Sequence, residues 1–234
     1  MRILLRTLKT IALLLTSVPV MGQNLLQNGG FEQPVMPLGT FQYGLTNSGW
    51  RFSPGGSHGG SGITTVGSLF TYSQSVSDGQ QMAFLQADGN TISQTFTIPG
   101  SGKYELSYFH AGRSVIGGNL TYSVLIDTNA IGTFSTTTSQ SFSKISLQFD
   151  TTAGQHTITF VGVATAGSGF DQTAFFDAVK LVPVLSLTPI GFSAGKPLVG
   201  FTTEDGRSYT VQARFNADTG LWATVLQVPA GAAG

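Results

Sequence analysis

Cysteine is absent from this sequence, and charged residues are scarce. Without cysteine the chain can form no disulfide framework, no thiol nucleophile and no cysteine-ligated zinc site. Lys, Arg, Asp and Glu make up 9% of the 234 residues, against about 25% in an average soluble domain. The 11 basic and 11 acidic side chains cancel. A neutral chain lacks the basic excess that phosphate binding requires, which argues against nucleic acid as a partner and against a polybasic membrane-surface role.

Apolar runs long enough to cross a bilayer are also absent. A basic start, the short apolar run 11–15 and tolerated cleavage residues at 20–22 predict an export signal over residues 1–22. The mature chain then begins near Gln23 and has no membrane span, whereas the alternative is a membrane-anchored N-terminus. We expect a secreted protein, extracellular or at the cell surface, and a periplasmic location also fits. The missing cysteine and the short signal favour a bacterial source.

Long helical periodicity is missing too, and the chain shows many short alternating segments instead. Apolar residues occupy every second position, with small irregularities, in the stretches 91–98, 103–109, 120–127, 142–149 and 156–163. Each stretch would bury one face and expose the other. Gly, Pro, Asn and Asp separate these stretches, as expected of turns. The pattern predicts an all-β sandwich or barrel.

A change of pattern near Pro183 indicates a boundary. We predict a β-sandwich over residues 23–183, a linker over 184–189 and a short β-rich unit over 190–234. The last unit has about 45 residues, which is short for an independent domain. We therefore interpret it as an incomplete C-terminal β unit, either truncated or repeat-like.

Several short motifs follow one another between the start of the mature chain and Leu181. In chain order they are Asn24–Leu26, Asn28–Glu32, Ser48–Trp50, Asp78–Leu85, Ile92–Phe96, Gly102–Tyr108 and Phe176–Leu181. The series resembles the galactose-binding-like jelly rolls. It looks most like the domain-of-unknown-function 642 family, secreted wall proteins of plants with bacterial relatives, and is similar to carbohydrate-binding modules of families 4, 9 and 22. The resemblance covers about residues 24–182 and implies a galactose-binding-like jelly-roll β-sandwich.

The resemblance also implies a structural calcium ion held through Glu32 and Asp177. In such jelly rolls the Glu of the opening motif and the Asp of the closing strand commonly help to bind calcium, which needs several hard oxygen ligands. Gly29 and Gly30 would let backbone carbonyls turn inward. The family pattern often has a second acid after the closing Asp, where this chain has Ala178. The alternative is that Glu32 and Asp177 only cap or pair at the sheet edge.

Aromatic and polar residues near strand ends are candidates for binding a sugar, because rings stack on sugar faces while amides and arginine hold hydroxyls. The candidate ligand-binding residues are Tyr43, Tyr72, His110, Arg113 and Tyr122. The alternative for the tyrosines is a place in the core, which is the commoner fate of Tyr122 in an alternating strand. His110 and Arg113 could instead form a solvated pair at the rim. The Gly-rich loop 53–62 is either a binding loop or flexible filler.

No catalytic motif stands out. The histidines, His58, His110 and His156, lack metal-ligand spacing. The acids form no paired motif of the kind a glycosidase needs, and Gly167–Gly169 lacks the strand–turn–helix setting of a hydrolase elbow. The sequence therefore favours an exported, non-catalytic carbohydrate-binding module that recognises cell-wall or extracellular polysaccharide. The alternative is a structural or adhesive surface protein that binds another protein, and the oligomeric state stays open.

Overall fold

The computed structural model describes the chain from Gln23 to Val184, with three gaps, and the backbone of further strands beyond. The ranges described with side chains are 23–71, 74–115, 117–163 and 171–184. The predicted signal segment 1–22 lies outside the described residues. Within the described part of the chain, no helix is long and apolar enough to cross a membrane.

Every regular element in the described ranges is a β-strand. The strands are β1 Phe41–Tyr43, β2 Arg51–Phe52, β3 Gly60–Thr65, β4 Gln81–Gln86, β5 Thr91–Ile98, β6 Gly102–Gly112, β7 Thr121–Ile126, β8 Asn129–Ser135, β9 Ser143–Thr151, β10 Gly154–Val163, β11 Thr173–Pro183, β12 Leu187–Ser193, β13 Lys196–Phe201, β14 Tyr209–Ala213 and β15 Ala223–Val228. Contacts divide the chain into two compact units, and Gly22–Val184 forms one of them.

This unit consists of two antiparallel sheets. The first sheet has six strands in the order β1-β3-β4-β11-β6-β9, and the second has five in the order β2-β5-β10-β7-β8. Many neighbours in each sheet are distant in sequence, so the chain crosses repeatedly between the sheets. The all-β jelly-roll sandwich that the sequence predicted is confirmed.

The core between the sheets follows from the alternation of the strands. In β5 the side chains of Ile92, Gln94, Phe96 and Ile98 are buried while their neighbours are more exposed. The same period of two operates in β6, β7 and β10. A strand presents successive side chains to opposite faces, so an alternating sequence covers a core with one face only.

The outer faces of the two sheets differ. On the first sheet, Met82, Phe84 and Phe175 form a second apolar cluster, which is covered by Phe70 from the segment after β3. On the second sheet, hydroxyl side chains pair across neighbouring strands. These pairs are Thr95 with Thr157 at 3.2 Å, Ser123 with Thr133 at 2.9 Å and Thr121 with Ser135 at 2.8 Å. The first sheet is therefore covered on its outer side near Phe70, whereas the second carries paired hydroxyl groups on its outer side.

The opening segment of the mature chain lies beside the end of β11. The amide of Leu25 donates to the carbonyl of Leu181 at 3.0 Å, and the amide of Val179 donates to the carbonyl of Gly29 at 2.9 Å. The Asn24 side chain makes two hydrogen bonds with the backbone of β11, donating to Val179 O and accepting from Leu181 N, each at 2.8 Å. A Cβ on Gly29 would lie 2.0 Å from the carbonyl oxygen of Val179, so this close approach requires glycine.

The C-terminal strands belong to the other compact unit and form two hairpins, β12 with β13 and β14 with β15. Strand β12 begins at Leu187, inside the predicted linker. Pro189 lies next to a register shift in this pair, which is where a strand tolerates a residue without a backbone donor.

Candidate functional site

Asp177 lies in the interior, where it binds the backbone of a distant loop. Its Oδ2 accepts hydrogen bonds from the amides of Ser77 and Asp78 at 2.8 and 2.7 Å, and its Oδ1 accepts one from Ala178 at 2.7 Å. The side chain is fully buried. Burial raises the pKa of Asp177 to about 7 and outweighs the opposite effect of these three amides, while the nearby Asp78 carboxylate adds to the rise.

Glu32 binds the other end of the same loop. Its Oε1 accepts hydrogen bonds from the amides of Gln80 and Gln81, both at 2.8 Å. Gly79 lies between the two amides that bind Asp177 and the two that bind Glu32. It has φ +61, and a Cβ there would lie 2.2 Å from Glu32 Oε1. We call Glu32, Asp177 and the loop Ser77–Gln81 the clasp. It joins the opening segment, the loop before β4 and strand β11.

The arrangement of the clasp does not fit the calcium site that the resemblance implied. Glu32 Oε1 and both oxygens of Asp177 accept hydrogen bonds from backbone N–H groups, whereas calcium needs several oxygens directed at one point. Within the residues that the structure describes, no group of three or more His, Asp or Glu side chains could hold a metal ion. The clasp matches the alternative interpretation, in which both acids cap backbone at the sheet edge.

Two of the predicted ligand-binding residues, His110 and Tyr122, lie in the core. The Tyr122 hydroxyl is 2.8 Å from Nδ1 of His110 and 3.2 Å from the Tyr108 hydroxyl. Burial lowers the pKa of His110 and raises the pKa of Tyr122. Buried side chains offer no surface to a sugar, so placing these two at a ligand is corrected. The period of two in β6, which buries Tyr104 and Tyr108, also directs His110 inward and was the available signal. Tyr72 lies outside the described residues.

The other two, Tyr43 and Arg113, are joined through residues that the sequence analysis did not select. The Tyr43 hydroxyl donates to Oε1 of Gln86 at 2.5 Å, and Nε2 of Gln86 donates to Oδ1 of Asp171 at 2.6 Å. The Arg113 guanidinium donates through Nη1 to the same Asp171 oxygen at 2.6 Å. We call these four side chains the polar network.

Sheet topology brings the network together. Strand β11 lies between β4 and β6 in the first sheet. Gln86 ends β4 opposite Thr173, Arg113 directly follows β6, and Asp171 precedes β11 by two residues. The amide of Arg113 also donates to Thr173 O at 3.3 Å. The ends of these three neighbouring strands therefore lie together at one end of the first sheet, where loops often carry the binding residues of β-sandwiches.

Aromatic rings support the charged and polar groups. The Arg113 guanidinium carbon lies 4.5 Å from the centre of the Phe70 ring, a cation–π arrangement. Tyr43 packs edge-on against Phe84 with ring centres 4.9 Å apart. The predicted Gly-rich loop also packs against Tyr43, because a Cβ at Gly55 or Gly60 would lie 2.8 Å from the tyrosine ring. This loop is therefore packed against the network by its lack of side chains.

Exposed apolar side chains belong to the same elements. Phe41 in β1 is 41% exposed and its ring centre lies 5.0 Å from that of Phe70. Leu69 and Val115, the chain neighbours of Phe70 and Ser114, are 77% and 65% exposed. A hydrogen bond from Ser114 Oγ to Thr71 O at 3.2 Å ties these two segments together. The network thus combines hydrogen-bonding groups with apolar surface, which is the composition of a small-molecule or sugar site.

Comparison with known proteins gives neighbours in fold only. No protein-family model matches the chain, and no curated protein matches it. It is similar to the Stig cyclase Fisc from Fischerella sp. TAU, with 15% identity and a TM-score of 0.50 over 68% of this chain and 95% of the cyclase. It is also similar to the module TmCBM61, solved with β-1,4-galactotriose, at 18% identity and a TM-score of 0.49 over 69% and 99% of the two chains. A family 35 carbohydrate-binding module from Clostridium thermocellum has 14% identity and a TM-score of 0.40 over 62% and 98%.

The likeness to the cyclase shows a shared fold, and a shared fold does not decide function. The closer resemblance to the domain-of-unknown-function 642 family, read from the motifs, stays a hypothesis. Function has to be argued from the side chains of this chain.

Proposed function

We propose that this chain is an exported, non-catalytic module that binds carbohydrate, and that the polar network with its apolar rim is the binding site. The observation that carries the proposal is the half-exposed Asp171 carboxylate, which accepts hydrogen bonds from Gln86 and Arg113. Tyr43 joins the same network through Gln86, and the centre of the Phe41 ring lies 6.0 Å from that of the Tyr43 ring. A carboxylate accepts hydrogen bonds from sugar hydroxyls, and rings pack against the C–H faces of the sugar.

The network is pre-organised for such a ligand. Asp171 is fixed by two donors, Gln86 is buried, and Arg113 is held between Asp171 and the Phe70 ring. A site whose side chains are already ordered loses less conformational entropy on binding. The proposed site lies at the meeting strand ends and not on the outer face of the first sheet, part of which is covered by Phe70.

The network does not have the composition of a glycosidase centre. Such an enzyme needs two carboxylates across a cleft, whereas Asp171 is the single carboxylate among the four side chains of the network. Export, with a secreted or cell-surface location, is part of the proposal and rests on the predicted signal over residues 1–22.

The test is retention on a panel of insoluble and gel-immobilised polysaccharides, followed by glycan-array binding. Arg113→Ala and Tyr43→Ala should each weaken retention at least about tenfold, because each removes a group that orients the site, and a tenfold change corresponds to about 1.4 kcal/mol. Tyr43→Phe keeps the ring and should lose less.

Lys103→Ala is the matched control. Lys103 lies at the start of β6, far along the strand from Arg113, and forms an ion pair of its own with Asp150 at 3.1 Å. It should leave retention unchanged. Failure of the wild type to bind any glycan, or equal retention of Arg113→Ala and wild type, contradicts the proposal. In that case the structural or adhesive role becomes the better interpretation.

A further inference from the structure

The two charges of the network differ in how far they reach solvent. The Arg113 side chain is 11% exposed, whereas that of Asp171 is 56% exposed. Arg113 lies over the Phe70 ring and donates to Asp171, so its charge is covered on one side and compensated on another. An incoming ligand therefore meets the carboxylate before it meets the guanidinium.

A third group of the network, the Tyr43 hydroxyl, is affected by both charges. Burial raises the pKa of the Tyr43 hydroxyl, the Asp171 charge raises it further, and the Arg113 charge lowers it by less than Asp171 raises it. Of the two charges, that of Asp171 therefore acts more strongly on the Tyr43 hydroxyl than that of Arg113. The hydroxyl and Arg113 lie at opposite ends of the network, with Gln86 and Asp171 between them.

We propose that this site selects neutral glycans and rejects anionic ones, such as uronate-containing or sulfated polysaccharides, and that Asp171 is the residue that determines the choice. The inference rests on the proposed function, since it names the class of glycan for that same site. A neutral sugar hydroxyl can donate a hydrogen bond to the Asp171 carboxylate. A ligand carboxylate or sulfate at the same place would be repelled by the negative charge of Asp171, and Arg113 is already paired with Asp171.

The experiment compares polymers that differ only in charge. The wild type is first run on neutral polysaccharides, namely galactan, mannan, xylan and β-glucan. The polymer retained best is then tested against its own carboxymethylated derivative, with polygalacturonate and its methyl ester as a second pair. At low salt the wild type should prefer the neutral partner of each pair at least about tenfold, and added salt should narrow the ratio because it screens exposed charges.

Two variants locate the effect. Asp171→Asn keeps the shape and removes the charge, which leaves Arg113 uncompensated, so the preference for the neutral polymer should fall at least about fivefold or reverse. Asp150→Asn makes the same change of net charge at the opposite end of β6, in the ion pair with Lys103. It should leave the preference unchanged. Melting temperatures of both variants verify that they fold.

The possible results separate the two proposals. If no polymer of either charge is retained, carbohydrate binding itself is overturned, and this inference with it. If neutral and anionic partners are retained equally by the wild type, carbohydrate binding stands and the selection by charge is overturned. An equal shift in Asp171→Asn and Asp150→Asn also overturns the inference, because it would show an effect of net charge and not of the site.

Discussion

Asp171 and Asp177 lie six positions apart around the start of one strand, β11, and have opposite surroundings. Asp177 is fully buried and receives three backbone amides, so it holds a loop in place. Asp171 is half-exposed and receives two side chains, so one part of it faces outward while the rest is fixed. The donors around a carboxylate, more than its position on a strand, therefore distinguish a structural acid from a candidate ligand-binding acid.

The largest effect is expected from Asp177→Ala. Removing the carboxylate leaves the amides of Ser77 and Asp78 without their acceptor in a buried setting, so the free energy of unfolding should fall by about 3 kcal/mol. Asp171→Ala, measured in parallel by urea denaturation, should cost less, about 1–2 kcal/mol. It leaves Arg113 and Gln86 without this acceptor, but the half-exposed position of Asp171 lets water replace part of it. Equal losses from the two substitutions would erase the distinction between a structural and a ligand-binding acid.

The pH dependence of stability should come from Asp177 as well. Its pKa is raised from the ordinary value to about 7 in the folded chain, so the folded state holds a proton that the unfolded state releases near pH 4. The stabilisation is complete below about pH 4 and is lost as the pH rises through about 7, at a slope on the order of 1 kcal/mol per pH unit.

Urea unfolding between pH 4.5 and 8 checks this slope, with Asp177→Asn as the variant that should flatten it. His156 needs a separate control, because its hydrogen bond to Asp127 raises its pKa and its stabilisation is also lost as the pH rises. The measurement is therefore repeated in His156→Gln. Stability that increases with pH across this range would show that the three amides outweigh burial and that the pKa of Asp177 is lowered.

A smaller effect, about 1–2 kcal/mol, is expected from Gly79→Ala in the clasp. The residue has φ +61, and its new Cβ would meet Glu32 Oε1. Gly89→Ala is the matched control, since Gly89 has φ +73 with nothing within 4 Å of the added Cβ. Both substitutions carry the backbone strain, and only Gly79→Ala displaces the carboxylate. A Gly79→Ala protein as stable as Gly89→Ala would mean that Glu32 contributes little to the clasp.

The smallest effect is expected from metal removal. Because three of the four carboxylate oxygens of the clasp accept hydrogen bonds from amides, the wild-type melting temperature should stay within about 1 °C when EDTA replaces calcium in the buffer. Glu32→Gln should melt lower than wild type in both buffers, since it weakens the acceptor for Gln80 and Gln81. A calcium-dependent rise in the wild type that disappears in Glu32→Gln would restore the calcium site.

Period-two patterns in the sequence were sufficient to predict an all-β sandwich or barrel, because an alternating strand buries one face whatever its partners are, and the family resemblance specified the jelly-roll sandwich. The meeting of the opening segment with β11 was implied by the resemblance, which placed Glu32 and Asp177 at one site. In β6 the alternation of buried and more exposed side chains continues from Tyr108 to His110, so the same pattern also predicts that His110 is buried.

The polar network could not be predicted in this way. Asp171 is 85 residues from Gln86 and 58 from Arg113 in sequence, and they meet because β11 pairs with both β4 and β6. Strand order is set by the whole fold and leaves no local pattern in any of the three segments. The roles of Glu32 and Asp177 likewise depend on backbone amides of the loop between Ser77 and Gln81, which carry no side-chain signature.

The bonding of Asn24 and Leu25 to Leu181 has a consequence for how the sandwich can be joined to other proteins. The chain enters and leaves the sandwich at neighbouring points, so a short connection could link these points without disturbing either sheet. Such a unit suits insertion into a surface loop of a larger protein, and it suits circular permutation with new ends at an exposed turn such as Thr128. Its ends would then be set by the host chain, while Asp171 and Asp177 kept their surroundings.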